Sequence, residues 1–388
     1  MASHFRTLPI KDIRRETSDC VSISFAIPAE LRDEFLYKQG QNITIRKRIG
    51  EEEIRRSYSI CSSPHENELR IAVKKVPGGR FSLFANEQLH KGEELEILPP
   101  TGRFYTELEP TRAKNYLAFA AGSGITPVIS IIKATLATEP GSQFTLVYGN
   151  RNRTSIIFRE ELEALKDRYM DRFALHHILS REKTDATLNY GRIDAEKCGE
   201  LTRKLIGLQQ ADEVFICGPA EMIFGVKSWL EKEGIAPEKI HFELFSTPVA
   251  TGGEGLGSGS GKSGPGGSRA RSTGAGSKSG EAGDSREGPD ALAGKTSKVT
   301  IRLDGFSFDF DLPFDGEPIL DAALREGADL PFACKGGVCC TCRARLTEGK
   351  VEMEVNYALE KEELAAGFIL TCQSHPRTER VIVDFDTK

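Results

Sequence analysis

Between residues 251 and 295 the chain holds 15 glycines and 8 serines in 45 positions, and only Leu256 and Leu292 offer a large apolar side chain. Too little apolar surface is available there to offset the entropy of ordering the backbone, so the stretch reads as a flexible linker. A chain interrupted in this way cannot close around one core. It must fold as separate bodies before and after residues 248–296, joined by a tether whose root-mean-square reach is roughly 35–40 Å.

Length points the same way, since 388 residues exceed what one hydrophobic core usually organises. Residues 1–108 read as short strands separated by turn residues: Val21–Ile27, Asn42–Lys47, Ser57–Cys61, Leu69–Lys75 and Glu94–Leu98. Ile43 with Ile45, and Leu69 with Ile71 and Val73, alternate as in half-buried antiparallel strands. No long helical pattern interrupts them, so the expectation is a small antiparallel β-barrel. From Tyr116 the texture changes. Apolar strands Tyr116–Ala120, Phe144–Tyr148, Phe173–Leu179 and Glu213–Cys217 alternate with helical stretches such as Val128–Leu136 and Arg159–Tyr169. That rhythm specifies an α/β domain with a parallel sheet over residues 109–247. Residues 297–388 open with strand-like Lys298–Leu303 and Ser307–Leu312, continue with helix-like Ile319–Glu326, and then enter a cysteine-rich loop.

Charge narrows the partners. A net charge of −5 argues against nucleic acid or an anionic membrane as the main one. Residues 297–388 carry 11 Lys+Arg against 17 Asp+Glu, whereas the first 247 residues balance 35 against 35. The acidic tail suits docking on a basic patch of another protein, or serves solubility alone. No apolar run approaches the ~20 residues that span a bilayer, and Met1-Ala2-Ser3-His4-Phe5-Arg6 lacks the features of a signal peptide. A cytoplasmic location is the expectation.

Five of the nine cysteines lie in or near one loop: Cys334, Cys339, Cys340, Cys342 and Cys372. In a reducing compartment such crowding points to metal or redox work. Cys334-Lys335-Gly336-Gly337-Val338-Cys339-Cys340-Thr341-Cys342 gives C-x4-C-x2-C, with Cys372 thirty positions on. That spacing ligates a plant-type 2Fe–2S cluster, with Cys334, Cys339, Cys342 and Cys372 as the four thiolates. Gly336 and Gly337 let the backbone wrap closely, so that its N–H groups can point at sulfur. Cys340, between two ligands, is expected to point inward as a small apolar residue. A structural zinc site also uses four thiolates, but usually as two C-x2–4-C pairs, and here the fourth cysteine stands alone.

Ala121-Gly122-Ser123-Gly124-Ile125-Thr126-Pro127 follows an apolar strand and opens a helix, with Thr126 as the expected cap and Pro127 in first position. Its glycines permit a pyrophosphate to approach a positive helix N-terminus. Cys217-Gly218-Pro219 and Ser180-Arg181 end later strands on the same carboxyl edge of the sheet, where ligands of such folds bind. An arginine with a hydroxyl neighbour is the chemistry for a ribose 2′-phosphate and favours NADPH over NADH; the alternative is a solvated Arg181. In the barrel, Arg56-Ser57-Tyr58-Ser59 lies on a strand and Gly78-Gly79-Arg80-Phe81-Ser82 follows the next. Arg56 could hold a phosphate and Tyr58 could stack on a flat ring, although tyrosines on strands are more often core-edge residues.

Together these motifs resemble the ferredoxin–NADP reductase superfamily, in which R-x-Y-S binds flavin while G-x-G-x-T-P and C-G-P bind the pyridine nucleotide. The order of parts, reductase first and plant-type ferredoxin (β-grasp, α+β) last, narrows the likeness. The segments RRSYSIC, AAGSGITP, FTLVYGNR, FICGPAEM, ILDAALREGADLPFACKGGVC and VEMEVNYALEKEELAAGFILTCQS are similar to those of the reductases of phenylacetyl-CoA epoxidase complexes. The resemblance covers nearly everything except residues 248–296. It implies that Arg56, Tyr58 and Ser59 contact FAD, with Val73, Lys74, Gly79 and Ser82 lining the rest of that site. Gly122, Thr126, Ser180, Arg181, Cys217 and Gly218 are implied to face the nicotinamide nucleotide, and Glu243 and Phe245 to lie on a last strand near the flavin. The implied circuit runs from NADPH through FAD and the 2Fe–2S cluster to an external di-iron oxygenase that epoxidises the ring of phenylacetyl-CoA. The linker, longer and richer in glycine than the family's usual connection, suggests a ferredoxin domain that swings between the flavin and that acceptor.

Three rivals stand beside this reading. Glu87/His90 and Glu238/His241 match the E-x-x-H signature of di-iron bundles, yet neither lies on a long helix facing a second pair, so both read as chance. A zinc-stabilised interaction protein is the non-enzymatic alternative. A reductase serving another multicomponent aromatic oxygenase, such as a Rieske-type ring dioxygenase, keeps the fold and changes the client.

Overall fold

The computed structural model describes residues 4–245 and 294–387. Nearly all of the expected linker, residues 248–293, lies outside the described residues.

The first body is built from β1 (Arg6–Thr17), β2 (Cys20–Phe25), β3 (Asn42–Ile49), β4 (Glu52–Ser59), β5 (Leu69–Lys74), helix α1 (Arg80–Glu87) and β6 (Glu94–Thr101). The strands form one antiparallel sheet in the order β4-β3-β6-β1-β2-β5. It closes on itself where Ile60 bridges Ile71 and the Cys61 N–H donates to the Arg70 carbonyl at 2.8 Å. Closure leaves no edge to cover, and the inward residues Leu8, Ile10, Val21, Ile23, Ile43, Ile45, Leu69, Ile71 and Val73 fill the barrel. Two elements are not legible in the sequence. Charged residues crowd β1, masking its period of two. Helix α1 is only eight residues long, and it buries Phe81 and Ala85, four positions apart, against the barrel.

The second body alternates as expected: β7 (Asn115–Ala121), α2 (Ile125–Thr138), β8 (Gln143–Asn150), α3 (Arg159–Arg168), β9 (Phe173–Leu179), α4 (Ala195–Lys204), β10 (Glu213–Cys217), α5 (Ala220–Lys232) and β11 (Ile240–Glu243). All pairings are parallel, in the order β11-β10-β7-β8-β9. Helices α2 and α3 cover one face, while α4 and α5 cover the other. The strand order reverses between β7 and β10, which opens a crevice above their carboxyl ends. Barrel residues Cys61 and Phe104 pack into the α2 side of this core, and the Ser130 hydroxyl donates to the Ser62 carbonyl at 2.6 Å.

The third body comprises β12 (Thr296–Leu303), β13 (Phe306–Pro313), α6 (Ile319–Arg325), β14 (Arg343–Glu348), β15 (Val351–Met353), α7 (Lys361–Ala365), β16 (Phe368–Leu370), β17 (Ser374–Pro376) and β18 (Arg380–Asp384). Its main sheet runs β13-β12-β18-β14-β16 with β12 and β18 parallel. Ile319, Leu320, Ala322 and Ala323 bury α6 against that sheet, a β-grasp arrangement. This body sits against the other two. Val338 and Tyr357 pack on the α4–α5 side of the second body, and Thr44 and Thr341 approach through their hydroxyls at 3.2 Å.

Candidate functional site

Strand β7 ends at Ala121, and Gly122–Gly124 coil one tight turn directly into α2. A Cβ at Gly124 would lie 2.1 Å from the Cys217 carbonyl oxygen, so only glycine lets this turn sit against the end of β10. Because the turn runs into the helix without a break, Thr126 is not the cap expected of it. It is the second residue of α2, its hydroxyl donates to the Ser123 carbonyl at 3.0 Å, and Gly124 stands in the cap position. Pro127 therefore falls third in the first turn, where an N–H would still lack a helical partner.

Above this turn opens a cleft of about 730 Å³. Gly122, Ser180, Arg181, Gly218, Lys74 and Phe245 line it, so the structure gathers six expected residues from five segments. Thr126 and Cys217 lie buried beneath its floor, and burial pushes the Cys217 thiol up. Arg151, Arg192, Asn150 and Glu221 also line the cleft and are not picked out by the sequence reading. Arg151 follows directly on β8 and stands on the same carboxyl edge as Arg181, so sheet topology could have flagged it. The side chains of Arg151, Arg181 and Arg192 make no hydrogen bond or ion pair with another described residue, and the buried Asn150 amide nitrogen has no partner. A cleft walled by three exposed guanidinium groups with no protein partner and by an orphaned buried amide donor fits a polyanionic nucleotide.

Below the cleft runs the barrel edge. Ser59, last in β4, is buried and donates to the Glu243 carboxylate of β11 at 2.9 Å. Burial pushes the Glu243 carboxyl up to about 8. Tyr58 leans on Phe81 at 5.6 Å, and its hydroxyl makes no hydrogen bond with a described residue. Arg56 is exposed and donates only to the neighbouring Arg55 carbonyl, at 2.7 Å. A phenol with no protein partner and an exposed guanidinium on one strand fit a flat ring carrying a phosphate. Gly79 precedes the first turn of α1. Ser82 and Val73 are placed differently: the Ser82 hydroxyl donates to the Gly79 carbonyl and accepts from the Val76 N–H, holding that loop, while Val73 points into the barrel core.

In the cysteine loop the thiols neighbour one another as two pairs, Cys334 with Cys339 and Cys342 with Cys372. Within each pair one thiol, Cys334 or Cys372, is held below the ordinary thiol value and its neighbour, Cys339 or Cys342, is pushed above it. The Gly336 N–H points at Cys334 sulfur at 3.3 Å, and the Gln373 amide approaches Cys372 sulfur at 3.6 Å. Positive φ at Lys335 (51°), Gly337 (73°) and Cys340 (56°) produces this wrapping. The Cys340 thiol turns away and donates to the Ala358 carbonyl at 3.1 Å, outside both pairs. Among the described residues no three His, Cys, Asp or Glu side chains converge as a ligand group for one metal ion. Two thiol pairs match one pair per iron of a binuclear cluster.

Of the E-x-x-H matches, His90 bonds the exposed Glu93, and His241 bonds Glu213 at 2.9 Å while stacking on Phe215. Both serve the local fold.

Comparison with known proteins agrees with this geometry. Family models for an oxidoreductase FAD-binding domain, an oxidoreductase NAD-binding domain and a 2Fe–2S iron–sulfur cluster binding domain match residues 7–105, 119–228 and 301–377. Over 384 residues the chain is 44% identical to one of the polypeptides of 1,2-phenylacetyl-CoA epoxidase from Escherichia coli (strain K12), covering 99% of this chain and 98% of that protein. It is 32% identical to the ferredoxin reductase component of 3-ketosteroid-9-alpha-monooxygenase from Rhodococcus rhodochrous, covering 97% and 96%. Among solved structures, phthalate dioxygenase reductase aligns over 98% of both chains with a TM-score of 0.54 at 22% identity, a likeness of fold alone. The chain is thus an NAD(P)H-dependent oxidoreductase that uses FAD and a 2Fe–2S cluster, and it belongs to the family of three-module oxygenase reductases that includes this component of 1,2-phenylacetyl-CoA epoxidase.

Proposed function

We propose that this chain draws electrons from NADPH and delivers them singly to a di-iron oxygenase that epoxidises phenylacetyl-CoA. The supporting observation is a junction: Phe245 of the nucleotide cleft follows Glu243 by two residues, Glu243 accepts from Ser59 of the barrel, and Val338 of the cysteine loop packs on the second body. The 44% identity to the epoxidase component supports that client over the steroid and glycine betaine oxygenases served by relatives at 29–32%. The chain divides at residues 1–108, 109–247, 248–296 and 297–388, and operates in the cytoplasm, where reducing conditions suit nine cysteines that form no disulfide.

When bound, FAD accepts a hydride from the reduced nicotinamide and a 2Fe–2S cluster carries electrons one at a time. The chain's own residues bind and orient. Gly122, Gly218 and the start of α2 cradle the pyrophosphate. Arg181 and Ser180 take the ribose 2′-phosphate, with Arg192 beside them, which selects NADPH. Arg56 and the Gly79 turn hold flavin phosphates, Tyr58 stacks, and Lys74 and Phe245 close the edge between the two ligands. Val73, Thr126, Ser82 and Cys217 support these walls from behind. Ser59, buried, and Glu243, half-buried, form the polar pair at the reacting edge. Cys334, Cys339, Cys342 and Cys372 would hold the two irons of the cluster through their thiolates.

Anaerobic titration with NADPH and NADH, alongside flavin and iron analysis, tests the reading. NADPH is expected to bleach the flavin and then the cluster at lower concentration than NADH, and coupling to the epoxidase oxygenase is expected to consume phenylacetyl-CoA. Colourless protein, or equal preference with no coupling, would refute it.

A further inference from the structure

Arg55 sits one position before the flavin-facing Arg56, yet its side chain turns the other way, into the boundary with the third body. It is only 7% exposed, and every guanidinium nitrogen has a partner. Nη1 donates to the Leu330 carbonyl at 3.0 Å, Nη2 to Asp329 Oδ1 at 3.0 Å, and Nε to Glu53 at 2.8 Å. The guanidinium plane lies between two rings, 4.3 Å from Phe332 and 5.1 Å from Phe5. Leu330, Asp329 and Phe332 form the approach to the cysteine loop, ending two residues before Cys334. The loop itself is held at a second point by the Thr44–Thr341 contact at 3.2 Å, with Thr341 between Cys340 and Cys342. A third point is the ion pair of Arg103 with the buried Glu363 at 3.1 Å.

We propose that Arg55 is a positioning residue for internal electron transfer: it latches the ferredoxin body onto the flavin barrel, and this latched arrangement is the one in which the cluster loop receives electrons. The proposal rests on the function given above and adds a residue and a working geometry to it. Each transfer oxidises the flavin by one electron and reduces the cluster by one, with no further reactant. A freely swinging carrier needs only a weak, wet contact. Arg55 instead makes a desolvated, fully satisfied and doubly stacked one, which a lysine cannot reproduce. The two sides of the loop also differ. Cys339 is partly buried, flanked in sequence by Val338, which packs on the second body, and two positions before Thr341, which meets Thr44 of the barrel, whereas Cys334 is exposed. Electrons can therefore enter on the latched side while the other side faces solvent.

The test uses the full-length chain loaded with FAD and cluster, as Arg55→Ala, Arg55→Lys and Asp329→Ala. Asp329 is exposed on its far side, so Asp329→Ala keeps the latch testable if the Arg55 variants fail to fold. Loss of the hydrogen bonds and stacking is expected to weaken docking by roughly 10–100-fold. Small-angle scattering should show an expanded chain for Arg55→Ala, with Arg55→Lys failing to restore the compact form and Asp329→Ala expanding as salt is raised. In anaerobic stopped flow, flavin reduction by NADPH should keep its rate while cluster reduction slows by about tenfold or more. The cluster's potential should not move. Compact scattering in all three variants, or cluster reduction as fast as or faster than in the parent chain, would overturn the latch and favour swinging. Protein lacking flavin or iron would overturn the functional reading and the latch with it, so the two failures are distinguishable.

Discussion

The hydroxyl of Ser59 in the barrel donates to the carboxylate of Glu243 in the nucleotide sheet across 2.9 Å, joining residues 184 positions apart at the point where the three bodies meet. Ser59→Ala and Glu243→Gln should each slow hydride transfer from NADPH to the flavin by about tenfold to a hundredfold, the cost of one hydrogen bond to a charged or buried carboxyl. Stopped-flow flavin bleaching measures this, and unchanged flavin and iron content separates it from misfolding.

Replacing Cys342 or Cys372 by Ser should abolish the cluster and leave the flavin, since the affected iron would lose half of its protein thiolates. Cys340→Ala should keep full iron content, because that thiol bonds the Ala358 carbonyl instead, and should cost only about 1 kcal/mol of stability. Iron analysis and visible spectra decide both.

Arg181→Ala and Arg192→Ala should raise KM for NADPH by about tenfold or more while changing KM for NADH little. The reason is that a guanidinium facing a 2′-phosphate has no equivalent partner in NADH. A parallel rise in both constants would place these arginines on the shared pyrophosphate instead.

Gly124→Ala should destabilise the second body severely, since its Cβ would fall 2.1 Å from the Cys217 carbonyl oxygen and the neighbour is backbone that cannot swing aside. The readout is soluble yield and the thermal midpoint of the purified variant.

Glu213 gives a pH dependence of known sign. Burial works against its carboxylate, but hydrogen bonds from His241 at 2.9 Å and Lys114 at 2.5 Å outweigh this and hold the carboxyl below its ordinary value of 4.5. A depressed carboxyl contributes stability above the unfolded value, and that contribution is lost as pH falls from about 4.5 through the lower folded value. Glu213→Gln should therefore be less stable by about 1–3 kcal/mol at neutral pH, with the gap to the parent closing below pH ~4.5. Urea midpoints across that range measure it.

The barrel's alternating strands, the helices and strands of the nucleotide sheet and the four spaced cysteines can be read from the chain because each is a local pattern, set by side-chain period or by ligand spacing. Strand β1 is hidden because charged residues and shifts in its register break the alternation, and α1 because eight residues carry too few turns to show a period. Thr126 is misread as a cap for a related reason: whether a glycine turn breaks or continues into a helix depends on what packs against it, here the Cys217 carbonyl.

What the amino-acid order determined by itself was therefore chemistry and modularity: four cysteines at ligand spacing, a glycine turn between a strand and a helix, and a glycine–serine stretch with too little apolar surface to join a core. What only the tertiary structure decided was adjacency. That Glu243 reaches Ser59, that Arg151, Arg181 and Arg192 line one cleft, and that Arg55 turns away from Arg56 to hold Asp329 and Leu330 are all contacts between residues far apart in sequence. No local period encodes them, because they follow from how strand register and sheet closure bring distant segments together.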